Sequence, residues 1–317
     1  MSVATTEVAG VIPQANPSDS GRHVIPSHSL LPTPARFQKS SIPAANVASV
    51  PQRSPLRYPG GKTWLVPHIR RWLDARGGFL VEPFAGGAIV SLTAVMEELV
   101  TCAAMVELDR DVAAFWRAVM ENPTELVARI RAFSPTRESV EQIICQDPNS
   151  TIDRGFRTLI LNRTRRGGVL AAGAALVRSG ENGAGVKSRW YPETLVRRIE
   201  DIAKWSGRIR FFEGDGVLFM EEKCGEPGAR FFIDPPYTAS GGKRAGSRLY
   251  THSNVDHARI FEALAGCESD FLMTYDCSSE IMDLVAQYNF HGASIEMKSG
   301  HHLKIPELLI TRRKVFT

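Results

Sequence analysis

Arg230-Phe231-Phe232-Ile233-Asp234-Pro235-Pro236-Tyr237 decides the fold. The apolar run ahead of Asp234 is short and bounded by a turn, the pattern of a buried strand. Two successive prolines have no backbone N–H to donate, so the strand stops there. Asp234, the proline carbonyls and the Tyr237 ring are then presented together at the strand's carboxyl end, the rim where open α/β sheets bind ligands. Such a set suits a planar base with an exocyclic amine: Asp234 and the Pro235 carbonyl accept its hydrogens while Tyr237 stacks on the ring. A strand end could carry the same four residues as a plain turn, so the reading depends on their company.

That company lies upstream. Phe79-Leu80 leads into Val81-Glu82-Pro83-Phe84-Ala85-Gly86-Gly87-Ala88 and an apolar helix from Ile89 to Val95. A strand, a glycine turn and a helix N-terminus let backbone approach a ligand closely. Neither a dinucleotide fingerprint nor a Gly-Lys-Ser/Thr phosphate loop is present, which argues against NAD and ATP. Met105-Val106-Glu107-Leu108-Asp109 is a second strand ending in acid, with Glu107 placed to accept from ribose hydroxyls. Arg57-Tyr58-Pro59-Gly60-Gly61-Lys62 sets an aromatic and a cation about one helical turn apart.

In this order the elements resemble those of the Dam-like DNA adenine-N6 methyltransferases, in their alpha class of motif order, from roughly Pro55 to the C-terminus. The family carries an aromatic-x-Gly-Gly-Lys element, a Glu/Asp-Pro-Phe-x-Gly turn, an acidic strand end, a target-recognition insertion and Asp-Pro-Pro-Tyr. Glu307-Leu308-Leu309-Ile310-Thr311 resembles its closing strand. The resemblance implies S-adenosylmethionine as cofactor and double-stranded DNA as partner. It implies an α/β fold, a Rossmann-like doubly wound sheet with a late antiparallel strand and a mostly helical insertion. Carried over by position, Tyr58, Gly61 and Lys62 line the cofactor's methionine end. Glu82, Pro83, Phe84, Gly86 and Gly87 line its sugar and amino-acid side, and Glu107 takes the ribose or adenine. Asp234 faces both methyl donor and target amine, and the catalytic group is Asp234, Pro235, Pro236 and Tyr237. Tyr58 stands where many relatives have Trp, which keeps an aromatic platform. Asp215, at the end of Ile209-Arg210-Phe211-Phe212-Glu213-Gly214, accepts from the cofactor's adenine amine or caps a helix.

The chain has 317 residues, 43% hydrophobic, enough for one catalytic domain and an insertion. Residues 1–53, rich in Pro, Ser, Ala and Thr, form a disordered tail. Residues 54–114 and 206–317 make the catalytic domain, and 115–205 the target-recognition insertion. Val112 to Phe133 is expected to be helical. Between Thr151 and Glu213 thirteen basic and six acidic residues leave an excess of seven positive charges, more than the +4 of the whole chain. A basic block of this kind suits a polyanion. Arg163, Arg165 and Arg166, after a Leu-Asn element, and Lys187 and Arg189 are the candidate DNA contacts. The family's hairpin follows this element, but its aromatic and Asn before the glycine are missing here.

Five dispersed cysteines with no Cys-x-x-Cys pair indicate neither a zinc site nor a disulfide framework, and no metal is required. No apolar run is long enough to span a membrane, and a cytoplasmic monomer is expected, with a restriction endonuclease as a candidate partner. Two further readings stay open: a cytosine-N4 methyltransferase, whose members more often carry Ser at the Asp234 position, and a catalytically inactive DNA-binding relative. An RNA or protein-amide methyltransferase is disfavoured by the early Tyr-Pro-Gly-Gly-Lys and the basic insertion.

Overall fold

Apolar runs that cannot face water on either side make the centre of the sheet. In the computed structural model, which describes residues 47–58, 60–74, 77–237, 255–298 and 304–316 with Ile42 and His252, they form β1 (Phe79–Glu82), β2 (Cys102–Glu107), β4 (Ala229–Ile233) and β5 (Asp270–Asp276). With β3 (Ile209–Glu213), β6 (His291–Lys298) and β7 (Lys304–Thr311) they build one sheet in the order β3-β2-β1-β4-β5-β7-β6. The first five are parallel, and β7 enters antiparallel between β5 and β6, with Tyr275 opposite Leu308 and Asp276 opposite Glu307. Chain direction puts the site in place. The strands run outward from β1 through β2 to β3, then return to β4 on the other side of β1. The crevice outside the carboxyl ends of β1 and β4 is therefore the switch point where such sheets bind ligands.

The helices are α1 (Val66–Trp72), α2 (Ile89–Met96), α3 (Arg110–Glu121), α4 (Pro123–Ala132), α5 (Arg137–Cys145), α6 (Thr151–Thr164), α7 (Pro192–Lys204), α8 (Gly216–Lys223), α9 (His257–Ala265) and α10 (Ser279–Gln287). Asp109 ends the β2 loop and caps α3, accepting from the Asp111 and Val112 amides at 2.9 and 3.3 Å. The single helix expected from Val112 to Phe133 is two: Pro123 cannot continue α3 and instead opens α4.

No strand of the sheet lies between β2 and β3, and the mostly helical segment there shares the core of the sheet. Leu159, Ile160, Trp190 and Leu195 bury in the same cluster as Leu80 and Met105. The helical segment also grips the chain ahead of the cavity. The Asn162 amide accepts from Arg57 N and donates to Arg57 O, both at 2.8 Å, Arg163 donates to the Pro55 carbonyl, and Arg198 donates to Ser54 O at 2.9 Å. Gly168 lies so close that a Cβ there would stand 2.2 Å from Arg57 O. In place of the expected hairpin, one antiparallel bridge, Arg165 to Leu176, is formed.

Two expectations change. Most of the 1–53 tail lies outside the described residues, but its described end is packed on the domain. Val50 is buried, Arg53 pairs with Glu97 at 2.9 Å, and Ile42 bridges to Ile295 of β6. An apolar side chain with a pocket to fill and an arginine with an acid to meet hold this stretch despite its composition. Second, Cys224 and Cys267, 43 residues apart, are joined by a disulfide. Their pairing comes from the docking of the ends of α8 and α9, which spacing along the chain does not reveal. No helix among the described residues is long and apolar enough to cross a membrane.

Candidate active site

A cavity of about 810 Å³ occupies the switch point, within the range of pockets that enclose a cofactor-sized ligand. Its wall brings together Tyr58, Gly61, Lys62, Glu82, Pro83, Phe84, Gly86, Gly87, Glu107, Asp215, Asp234 and Pro236, contributed by five separate stretches of chain. Pro235 and Tyr237 are not on that wall. Tyr237 stacks on Tyr275, ring centroids 5.8 Å apart, and turns its hydroxyl inward to Asp234.

The glycine turn after β1 is shaped by what touches it. Gly86 has φ +46°, and a Cβ there would stand 2.7 Å from the Tyr58 ring, so Tyr58 lies directly on bare backbone. The Gly86 N–H donates to Glu107 Oε2 at 2.9 Å, and its carbonyl accepts from the Trp116 indole at 2.8 Å. Gly216, the first residue of α8, needs its lack of a side chain for a different reason: a Cβ would meet Pro83 O at 1.9 Å. The helix thus closes onto the end of β1, and its cap Asp215 reaches the cavity. Asp215 accepts from Val217 N and Leu218 N through Oδ1 alone. It is both helix cap and cavity wall.

Two acids on this wall are buried. Burial pushes the Glu82 carboxyl up to about 8, against the hydrogen bond from Ser91 N at 2.9 Å. Burial likewise raises Glu107 to about 7, opposed by the amides of Asp109 and Gly86. Neither acid has an ion pair among the described residues. Carboxyls held neutral by the lack of a counter-charge suit a ligand that brings a positive charge with it.

Asp234 sits in a dense polar knot at the end of β4. Its Oδ1 accepts from the Thr274 hydroxyl at 2.7 Å and the Tyr237 hydroxyl at 3.0 Å, and its Oδ2 meets Lys62 Nζ at 2.9 Å. A carboxylate offers about four lone-pair directions, so among the described residues Oδ2 keeps one open. Lys62, almost fully buried, also donates to Gly60 O at 2.9 Å and lies 3.6 Å from Glu307. Burial alone would lower the lysine's pKa, but Asp234 and Glu307 together hold it above its ordinary value.

The five expected DNA contacts divide. Arg166 and Lys187 are exposed. Arg189 pairs with Glu181 at 3.0 Å. Arg163 and Arg165 are corrections: both are buried, bonded to the carbonyls of Pro55 and Leu170. The last turn of α6 points Arg163, and the extended residue after it points Arg165, to main-chain acceptors within the fold. Burial, with Arg198, Arg57 and Arg189 nearby, lowers the Arg163 guanidinium to about 9. Arg57 and Arg198 line the cavity, and among the described residues neither has an acid within ion-pair distance.

Four residues enter the site that motif reading did not single out for it. Trp116 and Asn162 carry no signal in spacing, since their partners are main-chain atoms 30 and 105 residues away. Thr274 and Glu307 carry one: each is a polar residue inside a buried apolar strand.

The family model for D12 class N6 adenine-specific DNA methyltransferases matches residues 58–297. The Type II methyltransferase M1.LlaDCHI of Lactococcus lactis subsp. cremoris is 22% identical over 276 residues, 80% of this chain and 93% of that protein. Among solved structures, the rRNA methyltransferase aviRa of Streptomyces viridochromogenes is similar at 14% identity and TM-score 0.37, over 81% of this chain and 88% of that one. An S-adenosylmethionine-dependent methyltransferase of Agrobacterium tumefaciens is similar at 9% identity and TM-score 0.36, over 78% of this chain and 61% of that one.

Proposed function

The chain belongs to the family of D12 class N6 adenine-specific DNA methyltransferases, and from that premise we propose that Asp234 accepts hydrogen from the amine of an adenine turned out of the duplex. The enzyme uses S-adenosylmethionine to methylate adenine N6 in DNA, and membership of this family favours adenine N6 over cytosine N4. The open acceptor direction on Asp234 Oδ2, at the cavity rim, supports its role best. The sulfonium supplies an already activated methyl group, so the protein's task is alignment. The adenine lone pair is delocalised into its ring; hydrogen bonds from the amine to Asp234 and the Pro235 carbonyl favour a more tetrahedral nitrogen. Duplex DNA must release the base first, at a cost of a few kcal/mol.

Around the cofactor, Tyr58 on Gly86 and the glycine turn form the platform, and Asp215 Oδ2, which takes no hydrogen bond among the described residues, meets the adenine amine. Glu82 and Glu107 supply negative charge as the cationic cofactor enters. Their raised pKa values, set by burial without a counter-cation, are what makes the cavity fit such a ligand.

For DNA, Arg57, Arg166 and Lys187 are the phosphate contacts, since Arg163, Arg165 and Arg198 are bonded to main-chain carbonyls within the fold. The 115–205 segment reads the target sequence. A monomer working in the cytoplasm, with a restriction endonuclease as counterpart, completes the reading.

Asp234→Ala tests it. Methylation of DNA, followed by detection of N6-methyladenine, should be abolished while S-adenosylmethionine binding stays measurable. Turnover above a few per cent of wild type would remove Asp234 from the role.

A further inference from the structure

We propose that Glu307 is a positioning residue for methyl transfer: it shares Lys62 and Tyr237 with Asp234, and so sets how strongly Asp234 can accept a hydrogen from the target amine. This rests on the reading of Asp234 above. Lys62 Nζ has three protons and, in a site nearly closed to water, three acceptors: Gly60 O, Asp234 Oδ2 and Glu307 Oε1, at 2.9, 2.9 and 3.6 Å. The Tyr237 hydroxyl faces the same choice, 3.0 Å from Asp234 and 3.4 Å from Glu307. Among the described residues, two of the three donors to Asp234 are therefore shared with one other acid, and Thr274 is the third.

A cation seated on a carboxylate weakens it as an acceptor for anything else. An ionised Glu307 draws the ammonium away from Asp234 Oδ2 and leaves that oxygen to the amine. A neutral Glu307 surrenders Lys62 to Asp234. Glu307 Oε2 is buried with no hydrogen-bond partner among the described residues, so the carboxylate has capacity in hand for this exchange. The antiparallel strand fixes the geometry. On β7 Glu307 stands opposite Asp276 of β5 and Ile295 of β6. Among the described residues, the charged and titratable groups around it are Lys62 from the turn before α1, Asp234 and Tyr237 after β4, and Asp276 and the Cys277 thiol at the end of β5. Burial, with Lys62 opposing it, brings the Glu307 carboxyl to about 7, so its state changes within the working range of pH.

The test is Glu307→Gln, which keeps the shape and removes the negative charge that competes for the ammonium. kcat is measured at saturating DNA and S-adenosylmethionine from pH 6 to 9, the bound cofactor holding Glu82 and Glu107 each in one state. Wild-type kcat should rise with pH near 7. E307Q should be at least about tenfold slower at pH 8, flat across the range, and within about twofold of wild type in KM for both substrates; tenfold is about 1.4 kcal/mol of barrier. An E307Q enzyme with wild-type kcat at pH 8, or one that keeps the rise near pH 7, overturns the proposal. So does an effect confined to KM. If E307Q does not fold, Glu307→Asp replaces it: the charge remains, so the rise should persist at reduced kcat, and a folded E307D without the rise overturns the proposal equally. A wild type that methylates no adenine sinks the reading of Asp234 and the proposal with it. A wild type that does, beside an unaltered E307Q, sinks the proposal alone.

Discussion

Trp116 donates its indole N–H to the carbonyl of Gly86 at 2.8 Å, from a helix on the far side of β2 from the residues it serves. The tryptophan is fully buried, so no water replaces it if it is lost. With Glu107 holding the N–H of the same glycine, both polar groups of one peptide position are fixed from outside the turn. The turn's shape is thus set by α3 and β2 as well as by its own glycine.

Trp116→Phe should therefore weaken cofactor binding. It leaves the Gly86 carbonyl without a partner, a cost of about 1–3 kcal/mol. Titration calorimetry should show S-adenosylmethionine affinity falling about five- to a hundredfold, with DNA affinity nearly unchanged. An unaltered cofactor affinity would mean that the turn holds its shape unaided.

The arginines should separate cleanly in one salt series. Arg57→Gln and Arg166→Gln should each lower the slope of log DNA affinity against log salt by about one unit, with melting temperature unchanged. Arg163→Ala should do the reverse: it removes the grip on Pro55 and opens a cavity, so melting temperature falls and the slope stays. A lower slope in the Arg163 variant would return that residue to the DNA interface.

Acid should stabilise the ligand-free enzyme around neutrality. Glu82 titrates at about 8 in the fold against an ordinary 4.5, and Glu107 at about 7. Between those limits the folded protein holds protons that the unfolded chain has released, so stability falls as pH rises. The contribution is complete below the ordinary value and gone once pH has climbed through the folded one. Thermal unfolding should come at higher temperature at pH 6 than at pH 8.5, and Glu82→Gln should shrink the difference. A melting temperature insensitive to both changes would count against a neutral Glu82.

The sheet is legible in the sequence because β1, β2, β4 and β5 are buried on both faces and so carry apolar runs, each closed by a turn residue or an acid. The cavity wall is legible for a related reason: glycine, proline and acid at a strand's carboxyl end have few other uses in such numbers. The insertion is different. A basic residue on a helix carries no mark that says whether a phosphate or a main-chain carbonyl will take it. Arg163 meets Pro55, 108 residues earlier, and Arg166, three positions along, meets solvent. Glu307 could have been suspected, since an acid flanked by Leu308, Leu309 and Ile310 must find a partner. Which partner it finds depends on Lys62, at the other end of the chain.

Asn162, Arg163 and Arg198 reach out of the helical segment to hold the main chain of residues 54–57, immediately ahead of Tyr58. On the proposal that residues 115–205 read the target, specificity is not a detachable cassette. A helical segment grafted from another enzyme without those three grips would leave Tyr58 unanchored above Gly86, and the hybrid would fail at the cofactor before it met a base.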